Sequence, residues 1–326
     1  MEQTALVTGG AGFVGKYFCK RLVDLGYHTL CVDNLMSEGA RVPSAWPEFQ
    51  RCEVDFRHQD CRDFFDDPAN KREYALIIHL AAVVGGRATI ENAPLEVSQD
   101  LSIDAAFFNW LTKLPVKPKK VIYFSSSAVY PIDLQTIEKH GILAENMLSF
   151  SNTMIGIPDM TYGWAKMTGE YLSKMAHDVY GIDIVCYRPF SGYSETQNEV
   201  YPFIGILKRV LRREAEIDIW SNSVRDFIHM DDVVDCVFRT MNHINDGSAM
   251  NIGTGRPTSF SELAQIMMTE ADHHVAVHIC NDKPAGVFYR VADTTKVEQM
   301  GWKSTITVEE GVRRAVLYLR QDETEK

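Results

Sequence analysis

The sequence predicts an α/β protein, a doubly wound parallel sheet carrying a smaller C-terminal α/β lobe. Short β-branched runs alternate with amphipathic helical stretches through the first two-thirds of the 326 residues. That rhythm belongs to a parallel sheet covered on both faces. A glycine-rich turn, "TGGAGFVG", joins the first such run to the first helical stretch. Beyond Pro189 the elements become shorter and mixed, as a second lobe requires.

The elements follow in order. "TALVTG" (4–9) predicts a strand, and 13–26 a helix that stops at Gly26. Further strands are expected at 28–34, 49–56, 75–82, 119–127 and 183–190. "TYGWAKMTGEYL" (161–172) has the spacing of an amphipathic helix. In the C-terminal third, helices are expected at 202–212, 230–243 and 259–271, with a short strand in "IDIW" (217–220). Ser259 and Glu262 stand at capping-box spacing before the last of these. An amphipathic stretch at 306–321 and a charged tail close the chain. The expected division is 1–190 for the sheet domain, with a return segment near 226–256, and 191–326 for most of the lobe.

Bulk properties exclude several classes. A formal net charge of −11 argues against a surface built for nucleic acid or anionic lipid. No apolar run approaches the roughly 20 residues of a membrane span, and "MEQTALVTGG" lacks the basic and apolar regions of a signal peptide. A cytoplasmic protein is expected. Cysteines 19, 31, 52, 61, 186, 236 and 280 never form Cys-x-x-Cys, which fits reduced thiols. His273 and His274 lack companions at ligand spacing, so no metal is expected.

Gly9, Gly12 and Gly15 repeat every third residue between strand and helix, with Phe13 and Val14 completing the turn. Glycine lets backbone approach a pyrophosphate, and the helix N-terminus offers N–H groups to it. Asp33, followed by Asn34, ends the next strand at a distance suited to the adenosine ribose hydroxyls. A carboxylate there would repel a 2′-phosphate, so NAD is expected over NADP. Asp55 and Phe56 end a further strand, within expected reach of adenine.

Tyr162 and Lys166 lie one helical turn apart. Alone, such a pair describes an aromatic packing inward beside a solvated lysine. Beside the glycine turn, Asp33 and Ser126 of "YFSSSAVYP" it describes alcohol–ketone chemistry. Tyrosine exchanges a proton with the substrate hydroxyl, lysine lowers the phenol pKa and holds the nicotinamide ribose, and serine orients the substrate oxygen. His79, at the end of "ALIIHLAA", is expected to be structural.

The motifs together resemble the extended short-chain dehydrogenase/reductases, specifically the NAD-dependent nucleotide-sugar epimerases and dehydratases. The matching residues are "TGGAGFVG", Asp33, "HLAA" (79–82), "SSSAVYP", "YGWAK", "RPF" (188–190), "RDFIHMDDVV" (225–234), "MNIGTG" (250–255) and "MGW" (300–302). The resemblance implies a Rossmann domain for NAD, lined also by Leu80, Ala81 and Ala82, and a C-terminal lobe for a nucleoside-diphosphate sugar. It implies Ser127, Lys208, Arg225 and Arg290 as substrate contacts, the cations facing the diphosphate or the nucleoside. It also implies a homodimer joined through a four-helix bundle.

Counted back from Tyr130, the family's 4,6-dehydratases carry Asp and Glu three and two residues earlier, where this chain has Ser127 and Ala128. The 3,5-epimerases carry a cysteine at the position of Ala128, and the decarboxylases a glutamate. What remains is reversible C4 oxidation, as in a 4-epimerase or a net C4 dehydrogenase/reductase. "VVGG" (83–86) and Pro131 look more like the GDP-sugar branch, and the long 131–161 segment is expected to fold over the sugar pocket. A non-catalytic dinucleotide sensor is the competing class, which an intact Ser126/Tyr162/Lys166 set disfavours.

Overall fold

The computed structural model describes residues 3–37, 39–46, 49, 52–83, 85, 87–151, 154–280, 283 and 286–324. The first half runs β1 (Thr4–Thr8), α1 (Gly15–Asp24), β2 (His28–Asp33), β3 (Asp55–His58), α2 (Cys61–Asp66), β4 (Leu76–His79), α3 (Arg87–Asn92), α4 (Pro94–Val97), α5 (Gln99–Leu111) and β5 (Lys120–Phe124). Then come β6 (Ile142–Leu143), α6 (Met160–Tyr180), β7 (Ile184–Pro189), β8 (Ser191–Tyr193), α7 (Pro202–Leu211), β9 (Glu216–Ile219), β10 (Val224–Arg225), β11 (Phe227–His229), α8 (Met230–Thr240) and β12 (Asp246–Ile252). The chain closes with β13 (Thr258–Ser259), α9 (Phe260–Ala271), β14 (Ala276–Ile279), β15 (Tyr289–Ala292), α10 (Thr295–Gln299) and α11 (Val308–Thr324).

Seven parallel strands form the main sheet in the order β12-β7-β5-β4-β1-β2-β3. The near-continuous apolar runs are explained by burial on both faces. Ala5 and Val7 pack under α1 and α8, whereas Leu6 joins Phe107 and Trp110 of α5 on the opposite face. Chain order reverses at β1, between β2 and β4, which opens a crevice at the carboxyl ends of the strands.

The lobe has its own core beneath α7, α9 and α11. Its sheet, β13-β10-β15-β6, draws β6 from the long segment that precedes α6. Among the described residues, no helix is long and apolar enough to cross a membrane.

Two expectations change. The strand expected at 49–56 is β3, only Asp55–His58, because its ladder with β2 starts at the Leu30↔Asp55 pair. Upstream, Phe49 packs edge-on against Tyr17 (5.0 Å) and Trp46 (6.4 Å), so its burial comes from a loop cluster. Gln50 and Arg51 of that stretch, and Val84 and Gly86 of "VVGG", lie outside the described residues. The helix at 161–172 is the core of a longer one, α6, which ends at Gly181 in left-handed backbone (φ 64°).

Candidate active site

The three turn glycines do different jobs. Gly9 has φ +71°, and a Cβ on it would stand 2.7 Å from Ala81 N. A Cβ on Gly15 would collide with Gly9 O, so that glycine lets α1 pack onto the turn. On Gly12 a Cβ would meet only Gly9 O, at an ordinary contact distance of 3.4 Å, so the turn itself has room for a methyl there. Phe13 stands edge-on to Tyr17, and Val14 is the residue from which α1 starts.

Asp33, at the tip of β2, accepts Ala11 N–H at Oδ2 (3.0 Å) and Leu35 N–H at Oδ1 (2.7 Å). Burial raises its pKa and these N–H groups oppose the rise without cancelling it. With Gly12 N–H as a third donor, about one of the four acceptor sites of the carboxylate is left for a further donor. Asn34 Oδ1 accepts Met36 N–H, and Asp55 pairs with Arg57 at 3.2 Å. Phe56 stacks near-parallel to His58. Leu80, Ala81 and Ala82 follow β4 beside the turn, with Leu80 N–H donating to Thr8 O (3.0 Å).

From the first turns of α6, Tyr162 reaches Ser126 of the serine turn after β5, and Lys166 lies over Tyr123 of β5. Ser126 Oγ accepts Ala128 N–H (3.1 Å) and lowers the Tyr162 phenol pKa as a hydrogen-bond partner. Burial raises that phenol, Lys166 pulls it back, and the net shift is upward. Lys166 is buried with its ammonium 5.8 Å from the Tyr162 ring centre and 5.3 Å from that of Tyr123. Burial opposes its charge, yet Tyr162, Asp104 and Asp100 hold its pKa above the ordinary value.

Those two aspartates were not anticipated. Asp104 accepts Tyr123 O–H (2.6 Å) and pairs with His79 Nε2 (3.1 Å), while His79 Nδ1 shares a hydrogen bond with Thr8 (2.7 Å). His79 also lies flat on Phe107, ring centres 3.9 Å apart, as a buried wall rather than a base. Asp100 Oδ1 accepts Val83 N–H (2.5 Å), while Oδ2 is buried without a hydrogen-bond partner among the described residues. Burial pushes its pKa up to about 6. The available signal was two aspartates four residues apart on the inward face of α5.

The same helix is seated by a buried pair. Arg188 of β7 grips Glu170 through Nε (2.8 Å) and Nη2 (2.6 Å), and Ser125 donates to Glu170 at 2.5 Å. A Cβ on Gly169 would strike the Tyr123 hydroxyl, so glycine lets α6 lie directly on β5. Together these fix the height of Tyr162 and Lys166 above the sheet.

Across the crevice, β10 and β15 place Arg225 and Arg290 in register. Among the described residues, Arg225 donates only to backbone carbonyls, of Val224, Val287 and Phe288. Burial and the neighbouring Arg290 lower its pKa to about 9. Arg290 donates to Gln135 Oε1 (2.6 Å) and Asp159 Oδ2 (2.9 Å), and Arg87 reaches Asp159 Oδ1 (2.8 Å). Gln135 and Asp159 come from the long segment, which therefore braces an arginine of the lobe. Ser127 is buried in the serine turn. Lys208, on α7, pairs instead with Glu199 (2.9 Å), which precedes that helix.

The chain is 29% identical over 327 residues to a putative UDP-glucose 4-epimerase of Methanocaldococcus jannaschii, covering 97% of this chain and 98% of that one. The structure of Thermotoga maritima UDP-glucose 4-epimerase with UDP-glucose superposes with a TM-score of 0.80 at 25% identity, over 98% of this chain and 100% of that one. Bacillus cereus UDP-glucuronic acid 4-epimerase, solved with UDP-glucuronic acid and NAD, shares the fold at 21% identity, with a TM-score of 0.80 over 98% and 99% of the two chains. Residues 5–253 match the sequence profile described as the NAD dependent epimerase/dehydratase family, and the chain belongs to that family.

Proposed function

We propose that the protein is an NAD-dependent nucleotide-sugar 4-epimerase acting through a transient 4-keto sugar. The observation that carries this is the gathering of Ser126, Tyr162 and Lys166 beside a turn where positions 127 and 128 hold serine and alanine. Nothing at those two positions can protonate a leaving hydroxyl or abstract a C5 proton.

The residues present fit NAD: a turn whose Gly12 Cβ position is met only by Gly9 O, and a buried carboxylate with a spare lone pair at Asp33. When bound, NAD supplies hydride acceptance at C4 and its return. Asp33 would hold the adenosine ribose, and the Lys166 ammonium the nicotinamide ribose. Ser126 orients the sugar O4 while Tyr162 takes its proton, then returns it after the keto sugar has turned its other face. Lys166 opposes the burial that keeps the phenol neutral. Arg225 and Arg290 would bind the diphosphate. Like charges at facing strand positions are unfavourable without an anion between them.

The reading extends to a homodimer. Leu101 on α5, with Trp164 and Tyr171 on α6, are large apolar side chains left exposed on adjacent helices.

The test is mass spectrometry of dinucleotide retained after purification, then NMR screening of UDP-, GDP-, CDP- and dTDP-sugars. C4 interconversion without added cofactor is expected. Stoichiometric consumption of NAD would replace the epimerase by a C4 dehydrogenase. Unchanged sugars with a bound dinucleotide would make the protein a sensor.

A further inference from the structure

Asp159 is the residue from which α6 starts, yet its side chain caps nothing. A carboxylate at that position ordinarily accepts N–H groups of the first helical turn. Here it is turned away, held by Arg87 at 2.8 Å and Arg290 at 2.9 Å, with only 10% of the side chain exposed. Burial alone would raise its pKa, but Arg290 and Arg87 together keep it below the ordinary carboxylate range.

The backbone shows the consequence of that turn. Met160, between Asp159 and the helix, adopts φ +56°, a left-handed conformation that an unbranched apolar side chain rarely takes. Asp159 N–H donates to Ala128 O (2.9 Å), and Gly163 N–H donates to Asp159 O (3.0 Å). One residue thus joins the serine turn, the first turn of α6, Arg87 of α3 and Arg290 of the other lobe.

Charge supplies the rest. Arg87 has Glu91 as a second partner (2.5 Å), and Arg290 has the neutral Gln135. Arg225, beside Arg290, has only carbonyl oxygens among the described residues. Asp159 therefore brings the one carboxylate that reaches the Arg225/Arg290 pair among the described residues.

We propose that Asp159 is a stand-in counter-ion for a substrate phosphate at Arg290, and that its replacement by that phosphate sets the first turn of α6 and so positions Tyr162. This rests on the reading that Arg225 and Arg290 take the diphosphate. A diphosphate brings more negative charge than one carboxylate and engages both arginines at once. Once the phosphate holds Arg290, and with Glu91 left as the partner of Arg87, Asp159 leaves both arginines and turns back to accept the N–H groups of Thr161 and Tyr162, completing the cap it lacks. Asp159 is a positioning residue: it acts through the helix and touches no reacting atom.

Inorganic pyrophosphate, added to NAD-saturated protein, is the probe, because it needs no knowledge of the base or sugar. In the unaltered protein, pyrophosphate should slow hydrogen exchange at the Thr161 and Tyr162 amides. Asp159→Ala should abolish that protection. Asp159→Asn, which removes the competing charge with little change of shape, should bind pyrophosphate about tenfold more tightly at unchanged NAD affinity. A residue that merely braced the fold would give the opposite, weaker binding and no exchange signature. Arg225→Met and Arg290→Met separate the two readings. Should neither weaken pyrophosphate binding, the diphosphate site itself is wrong. Should both weaken it while Asp159→Asn changes nothing, or while the two amides exchange as before, only the counter-ion role is overturned.

Discussion

Tyr162 lies between opposed electrostatic influences, with Lys166 favouring phenolate and Asp100 and Asp104 disfavouring it. Tyr162→Phe removes the proton carrier and little volume. It is expected to retain NAD binding, measured by calorimetry, and to lose turnover by about 10²–10⁴-fold in the NMR assay. Asp100 makes a different prediction. Its carboxyl, held up at about 6 in the fold, binds a proton there between its unfolded pKa and that value, where the unfolded chain does not. Stability therefore falls as pH rises through this window, by on the order of 3 kcal/mol once complete. Asp100→Asn should be more stable than the unaltered protein at neutral pH in thermal melts, the difference vanishing below about pH 4. With one negative charge gone near Tyr162, the acid limb of the pH–rate profile should also move to lower pH. The Ser126, Tyr162 and Lys166 set was legible because each member sits in a local motif. Asp100, Arg87 and Asp159 were not, because their partners are set by how α3, α5 and α6 pack.

At the scale of elements, the glycine turn predicts two unlike outcomes from one substitution. Gly9→Ala drives a methyl into Ala81 at positive φ and should lower both melting temperature and NAD affinity. Gly12→Ala has room, so folding should be intact, with a melting shift of no more than a few degrees. Its NAD affinity should nevertheless fall about tenfold, as the methyl enters the space where pyrophosphate would approach. Equal effects on folding would show that Gly12 serves the turn and not a ligand. The spacing of the glycines was legible, but their division of labour depends on Ala81, which arrives from β4. The strand expected at 49–56 begins only at Asp55 for a related reason: aromatic burial at Phe49 is satisfied by a loop cluster, and periodicity alone does not distinguish that from a strand.

For the whole molecule, the alternation of strands and helices made the parallel sheet legible, since burial on both faces writes itself as apolar runs. The lobe was less so, because β6, β10 and β13 are two residues each and carry almost no local pattern. The exposed apolar face on α5 and α6 predicts that the protein sediments as a dimer. Trp164→Glu places a charge in that face and should yield a monomer in analytical ultracentrifugation with NAD binding retained. A monomeric unaltered protein would remove the helix-bundle dimer.

The place of β12 has a consequence for how the chain comes off the ribosome. β7 ends at Pro189, but its sheet neighbour β12 ends only at Ile252, with α7, α8 and part of the lobe between them. At 5–20 residues per second that interval lasts roughly 3–13 s. For that time the nascent sheet would stop at β7, an open edge of unpaired N–H and C=O groups carrying buried-type residues such as Cys186 and Tyr187. A fragment cut after residue 190 would keep that edge permanently, inviting strand addition by a second chain.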